Sequence, residues 1–184
     1  MQDELKPEVP EDQITLARAD ARKDMAAFLS YAVGCMMGRY SLDQPGLILA
    51  DAGATLQDYL AKIPKSTFAP DADGIIPVLD GEWFTDDIVG RFREFLRVAF
   101  GDATLAENLA FIEASLGKEL PKYFARDFYK DHLKTYKKRP IYWMFSSPEG
   151  SFQALVYLHR YNRDTVSVLL NDYVREFIGN PHVN

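Results

Sequence analysis

The feature that most constrains the fold is a helical repeat near the N-terminus whose second half is almost free of polar residues. Ile14, Leu16, Ala17, Ala21, Met25, Phe28, Leu29, Ala32, Val33 and Met36 recur at the spacing of one helix over residues 11–38. The first half is amphipathic. The second half is apolar nearly all round, and such a helix has to be enclosed by the rest of the chain. Its apolar run, Met25 to Met37, has 13 residues, short of the ~20 needed to cross a bilayer. The run therefore predicts the buried central helix of a folded domain. Gly34 and Gly38, four residues apart, predict a close approach by another segment. Cys35, in the same stretch, is expected to be inert.

Around that helix the chain has 184 residues, enough for one hydrophobic core. Its 47% hydrophobic and 26% charged residues are those of a globular protein, which argues against disorder over most of the length. A single cysteine excludes an internal disulfide framework and a Cys-rich zinc site. The acidic N-terminus (Asp3, Glu4, Glu8, Glu11, Asp12) has the wrong sign for a signal peptide. No membrane partner is expected, and the chain reads as cytoplasmic. Residues 1–10 are read as a mobile lead-in, 11–179 as a single mainly helical domain and 180–184 as a tail.

Local signals divide the domain. Leu47 to Ala50 predicts a short strand, and Thr55 to Ile63 a short helix ended by Pro64. Ile75 to Leu79 contains Pro77 and fits an edge strand. Thr85 is the expected cap of a helix with Ile88, Phe92, Phe95, Leu96 and Phe100 on one stripe, stopped by Gly101. Thr104 and Glu107 have capping-box spacing, opening a helix that stops at Gly117. Pro121 opens a third helix, which ends before Pro140. Ile141–Phe145 and Phe152–Leu158 flank Ser146-Ser147-Pro148-Glu149-Gly150-Ser151, the pattern of a β-hairpin. Asp164 is the expected cap of a last helix with Val166, Leu169, Leu170, Tyr173 and Phe177 on one face. The fold class is α+β and mainly helical: a helical domain with a β-hairpin and a small antiparallel sheet.

Charge is distributed unevenly. Residues 43–87 hold nine acids and two lysines, whereas 118–139 hold eight Lys or Arg and three acids. Lys118, Lys122, Arg126, Lys130 and Lys134 are four apart, and Lys137, Lys138 and Arg139 cluster before Tyr142 and Trp143. Steps of four drift by about 40° each on an α-helix, so the cations should spiral slowly along one side. Leu120, Phe124, Phe128 and Leu133 supply the apolar face. Such an edge can follow a line of phosphates while a ring meets a sugar or base. A solvated helix face, or an acidic protein surface such as residues 43–87, would account for the same charges. The residues expected to contact DNA are Lys130, Lys134, Lys137, Lys138, Arg139, Tyr142 and Trp143.

No catalytic or metal residue is assigned. Asp71-Ala72-Asp73-Gly74 resembles the middle of a calcium loop, but Ala69 falls where the first carboxylate is required, so an acidic turn is the better reading. His132, His159 and His182 lack ligand spacing. His159 is expected to be a packed or hydrogen-bonded residue. The chain contains no phosphate loop, Rossmann glycine fingerprint or nucleophile elbow.

Several stretches resemble one family as a set. They are Ser30-Tyr31-Ala32-Val33-Gly34-Cys35-Met36-Met37-Gly38-Arg39-Tyr40-Ser41-Leu42-Asp43, Pro45-Gly46-Leu47, Asp73-Gly74-Ile75-Ile76-Pro77, Lys138-Arg139-Pro140-Ile141-Tyr142-Trp143 and Leu158-His159-Arg160-Tyr161. The series is similar to a segment of the large adenine-specific DNA methyltransferases of the BREX phage-defence system, the PglX family. These are relatives of fused type II restriction-modification enzymes. The resemblance runs from about Ala17 to Glu176. It implies a parent that transfers a methyl group from S-adenosylmethionine to adenine N6, using an Asn-Pro-Pro-Tyr or Asn-Pro-Pro-Phe motif around a flipped base. Neither that motif nor a glycine-containing cofactor motif occurs here; the sole Asn-Pro is Asn180-Pro181. The resemblance thus points to a non-catalytic segment downstream of the methyltransferase core, with no cofactor of its own. Its partners would be double-stranded DNA and the methyltransferase core or other defence proteins. Two roles follow, support of DNA contact and target recognition, or a structural spacer or protein-interaction module without DNA affinity.

Overall fold

The computed structural model describes residues 19–79, 84–137 and 139–179. The expected lead-in (1–10), the first turns of the long helix, Lys138 and the 180–184 tail lie outside these residues. Helix α1 (Ala21–Met36) begins at Asp20, whose carboxylate accepts from the Lys23 amide at 3.1 Å. Its second half is enclosed: Leu29, Ala32, Val33, Cys35 and Met36 are buried. The chain reverses tightly after it, with the amides of Arg39 (2.8 Å) and Tyr40 (3.2 Å) donating to the Gly34 carbonyl. Tyr40 lies so close that a Cβ on Gly34 would be 2.3 Å from its ring. Gly38 takes φ +80° beneath Leu49 and Pro70, where an L side chain would be strained.

Residues 47–50 do not form the expected strand. The Ile48 and Leu49 amides donate instead to the carbonyls of Arg39 (2.8 Å) and Gly38 (3.2 Å), tying this segment to the α1 turn. Helix α2 (Leu56–Lys62) has a complete capping box between Thr55 and Asp58. Helix α3 (Ile88–Phe100) is capped by Asp87 rather than Thr85: the buried Asp87 carboxylate accepts from the amides of Val89 (2.8 Å) and Gly90 (3.0 Å). The capping box at Thr104 does not form either. Gly101, at φ +87°, leads into a 3₁₀ turn (Asp102–Thr104), and the Thr104 hydroxyl donates back to the Phe100 carbonyl. Helix α4 (Leu105–Leu116) then runs to Gly117. Helices α1, α3 and α4 pack on one another.

The third helix is not uniform. Helix α5 (Leu120–Tyr123) passes through a π-helical stretch (Phe124–Phe128) into helix α6 (Tyr129–Thr135). The wider π turn keeps residues four apart on one face. The buried row is therefore Leu120, Phe124, Phe128 and His132, and Leu133 is only partly buried.

Three antiparallel strands follow the order β1 (Ile75–Pro77), β3 (Gln153–Tyr157), β2 (Tyr142–Ser146). The Pro77 strand lies at an edge, as expected. Central β3 is buried on both faces. Leu155 and Tyr157, with Tyr142 and Ile76, join the main core; Ala154 and Val156, with Ile75, meet the C-terminal helix. That helix comprises α7 (Thr165–Val168), a second π stretch (Leu169–Val174) and α8 (Arg175–Gly179). It buries Thr165, Leu169, Tyr173 and Phe177, again four apart, and leaves Val166 and Leu170 about half exposed (48% and 47%). Val166 and Leu170 thus leave the single apolar face that an undistorted helix would have. The Asp164 side chain does not cap α7; the Thr165 hydroxyl accepts from the Asn162 amide at 2.9 Å. No described helix is long and apolar enough to cross a membrane.

Candidate nucleic-acid interface

The basic edge lies on the α5–α6 helix and the turn after it. Lys122, Arg126, Lys130 and Lys134 are all exposed. Steps of four drift one way on α-helix and back through the π stretch, so the cations form a straighter row than the slow spiral expected from sequence. Some are neutralised locally: Lys118 pairs with Asp127, Lys122 with Glu119 (2.7 Å) and Lys134 with Asp131 (3.3 Å). None of these pairs reaches the acidic 43–87 segment. Arg126, Lys130, Lys137 and Arg139 make no ion pair among the described residues.

After Thr135 the chain turns sharply. The Lys137 amide donates to the Lys134 carbonyl (3.3 Å), and the Arg139 amide to that of Tyr136 (2.8 Å). Lys137 itself has φ +50°, the left-handed conformation that usually falls to Gly or Asn just past a helix. The turn leaves Lys137 and Arg139 exposed. Lys138 lies outside the described residues.

The two rings that follow separate. Successive strand residues face opposite sides of a sheet. Trp143 is 49% exposed, whereas Tyr142 is 1% exposed, packed 4.8 Å from His132 and 5.4 Å from Tyr157. Tyr142 is therefore a core residue and leaves the set of candidate DNA contacts.

His132, 3% exposed, closes this part of the core. Its Nε2 accepts from the Ile141 amide at 3.2 Å, joining α6 to the entry of β2. Burial, with a smaller contribution from Arg39, pushes its pKa down to about 4. Burial raises the Cys35 thiol to about 11, which keeps it protonated. His159 is half-buried, its ring tilted against that of Tyr157 at 5.1 Å.

The Asp71–Gly74 segment is an acidic turn. Asp71 Oδ1 accepts from the amides of Asp73 (3.1 Å), Gly74 (2.6 Å) and Ile75 (3.1 Å). Arg160, buried, donates to the carbonyls of Asp71 and Ala72, both at 2.7 Å. No group of described His, Cys, Asp or Glu side chains is arranged to hold a metal ion.

Sequence reasoning missed Arg22 and Lys23. They belong to α1, yet they share a cleft with Lys134, and Arg22 lies 3.7 Å from Asp131. The available signal was the four-residue spacing of Arg22, Ala26 and Ser30, a row of polar and small residues along that helix.

The molecule so described is a mainly helical α+β protein with one cationic edge. No protein-family model matches it. The chain is 43% identical over 185 residues to the adenine-specific methyltransferase PglX of Lacticaseibacillus casei (strain Zhang), a match covering 95% of this chain and 15% of that protein. It is 43% identical over 175 residues to the adenine-specific methyltransferase BrxX of Escherichia coli O9:H4 (strain HS), covering 87% of this chain and 14% of the relative. The chain is thus homologous to one segment of these adenine-specific methyltransferases and spans about 15% of the length of these relatives.

Proposed function

We propose that this chain is a non-catalytic, DNA-contacting segment of an N6-adenine methyltransferase of a phage-defence system. The observation that carries the reading is the outward placement of Lys130, Lys137 and Arg139, unpaired among the described residues, with Trp143 exposed on the next strand. Lys134 adds a cation that only an exposed pair to Asp131 holds, and such pairs are weak. A methyltransferase that flips one base must grip the flanking duplex, and phosphate contacts away from the reacting centre supply that grip. Methyl transfer from S-adenosylmethionine belongs, on this reading, to other parts of the long relatives. No residue of this chain is assigned to the cofactor.

The test is duplex binding by the chain across a salt series. Affinity should fall steeply as salt rises, and Lys137→Glu with Lys138→Glu should weaken it further. Unchanged affinity in the double variant would remove the basic edge from the reading.

A second reading, a docking module for the methyltransferase core or another defence protein, rests on a different surface. Phe100 (55% exposed) and Phe111 (60% exposed) rim an apolar cleft with Met25, Phe28, Leu96 and Ile112. It predicts no salt-dependent DNA binding by the chain alone.

A further inference from the structure

A cleft of about 520 Å³ lies between the first turns of α1 and the face of α6. Its cationic lining comes from two elements that are distant in sequence, Arg22 and Lys23 from α1 and Lys134 from α6. Ala26, Ala27, Ser30, Thr135 and His132 also line it.

The histidine carries the argument. Nε2 accepts the Ile141 amide, so it bears no proton. The ring proton of the neutral imidazole is then on Nδ1, which is buried and has no hydrogen-bond partner. Buried donors are nearly always satisfied, and the ring that carries this orphan lines a cleft with three cations. The low pKa keeps the ring a neutral donor through the physiological range.

The cleft also holds one carboxylate, Asp131, and its oxygens are engaged. Oδ2 accepts from the Tyr123 hydroxyl (3.2 Å) and faces Arg22 (3.7 Å), and Oδ1 pairs with Lys134 (3.3 Å). Lys23 lies 3.4 Å from Asp20 outside the cleft. The side chains of Arg22, Lys23 and Lys134 are 51%, 80% and 78% exposed, so these pairs hold them weakly. An oxyanion offers the same cations shorter, charge-assisted bonds.

We propose that the α1–α6 cleft is a phosphate seat, with Arg22, Lys23 and Lys134 clasping the anion above the imidazole of His132. It deepens the DNA-contact reading, on which it rests for a backbone phosphate as occupant; a free phosphate ester would meet the same chemistry. A nucleic-acid strand held there would run from α1 across the Lys130 and Lys134 row, so the cationic surface would span two elements.

The test uses the chain itself, with Arg22→Gln/Lys23→Gln and, separately, Lys137→Glu/Lys138→Glu. Imidazole and backbone amide NMR signals are followed on adding inorganic phosphate, and duplex affinity is measured against salt. Phosphate should move the His132 ring signals and the amides of 22–30 and 131–135, and Arg22→Gln/Lys23→Gln should abolish the response. If that variant also lowers the DNA salt slope by about two, the occupant is a backbone phosphate. A phosphate response without any change in DNA binding supports the seat and assigns it to a free ester. Loss of DNA binding in Lys137→Glu/Lys138→Glu with the phosphate response intact tests the outer edge separately. Silent His132 signals, with DNA binding indifferent to Arg22→Gln/Lys23→Gln, would overturn the seat even if the outer edge binds DNA. Both α1 residues are exposed, so the fold should survive, and Lys134→Gln provides an independent second variant.

Discussion

The hydroxyl of Tyr173 lies 2.9 Å from Oδ2 of Asp86, and this contact ties the C-terminal helix to the loop before α3. The same hydroxyl is 3.1 Å from Oδ2 of Asp73. One phenol proton cannot be donated to two carboxylates at once, so the arrangement favours an additional proton on one of them. Burial first, then the neighbouring Asp71, raises Asp73 to about 7; burial also raises Asp86. The surrounding charged groups are Asp71, Asp87 and the buried Arg160, whose guanidinium donates to the turn carbonyls.

Stability should therefore depend on pH through this junction. The Asp73 pKa is higher folded than unfolded, so the folded state holds the extra proton. Its contribution is complete below the ordinary carboxylate range and is lost as pH rises through about 7. His132 acts oppositely: its lowered pKa removes stability as pH falls from its ordinary 6.5 toward about 4. Comparing thermal midpoints of the parent and Asp73→Asn at each pH isolates the carboxyl. The parent's advantage should shrink from pH 5 to pH 8, and a constant difference would refute the shared proton.

Gly34→Ala should destabilise the fold sharply. The added methyl would sit 2.3 Å from the Tyr40 ring at the turn that closes α1. Overpacking of this kind costs about 1–3 kcal/mol or more, readable in urea unfolding.

Lys137→Gly should separate stability from binding. Glycine removes the strain of φ +50° at the end of α6, about 1 kcal/mol. It also deletes an exposed cation. A higher unfolding midpoint is expected together with a DNA salt slope reduced by about one.

Tyr142→Ala and Trp143→Ala should differ in kind. Removing the buried Tyr142 ring should cost about 3–5 kcal/mol of stability. Trp143→Ala, at a half-exposed edge position, should leave the unfolding midpoint nearly unchanged and weaken DNA binding. Equal losses of stability would contradict the strand phase.

Much of the architecture was legible where the signal is local. The stops at Gly101 and Gly117, the short helix between Thr55 and Pro64, the hairpin and the Pro77 edge strand all follow from backbone chemistry within a few residues. The cap displaced from Thr85 to Asp87 shows the limit of that signal. Several adjacent residues could cap that helix, and contacts from elsewhere chose between them: Asp86 is engaged by Tyr173, which leaves Asp87 at the helix start. Thr104 does stand at the start of its helix, without the side-chain bond of a capping box.

The sequence by itself determined a mainly helical chain with an enclosed apolar helix, a hairpin and a concentration of positive charge before Tyr142, because periodicity and composition are properties of neighbours along the backbone. The tertiary structure alone decided that the π turns keep rows four apart in line, that His132 rather than Leu133 enters the core, that Tyr142 turns inward, and that Arg22 joins Lys134 across a cleft. Those outcomes depend on which surfaces pack together, and a helix will widen a turn or a strand choose its inward face when that buries more apolar area without orphaning backbone polar groups.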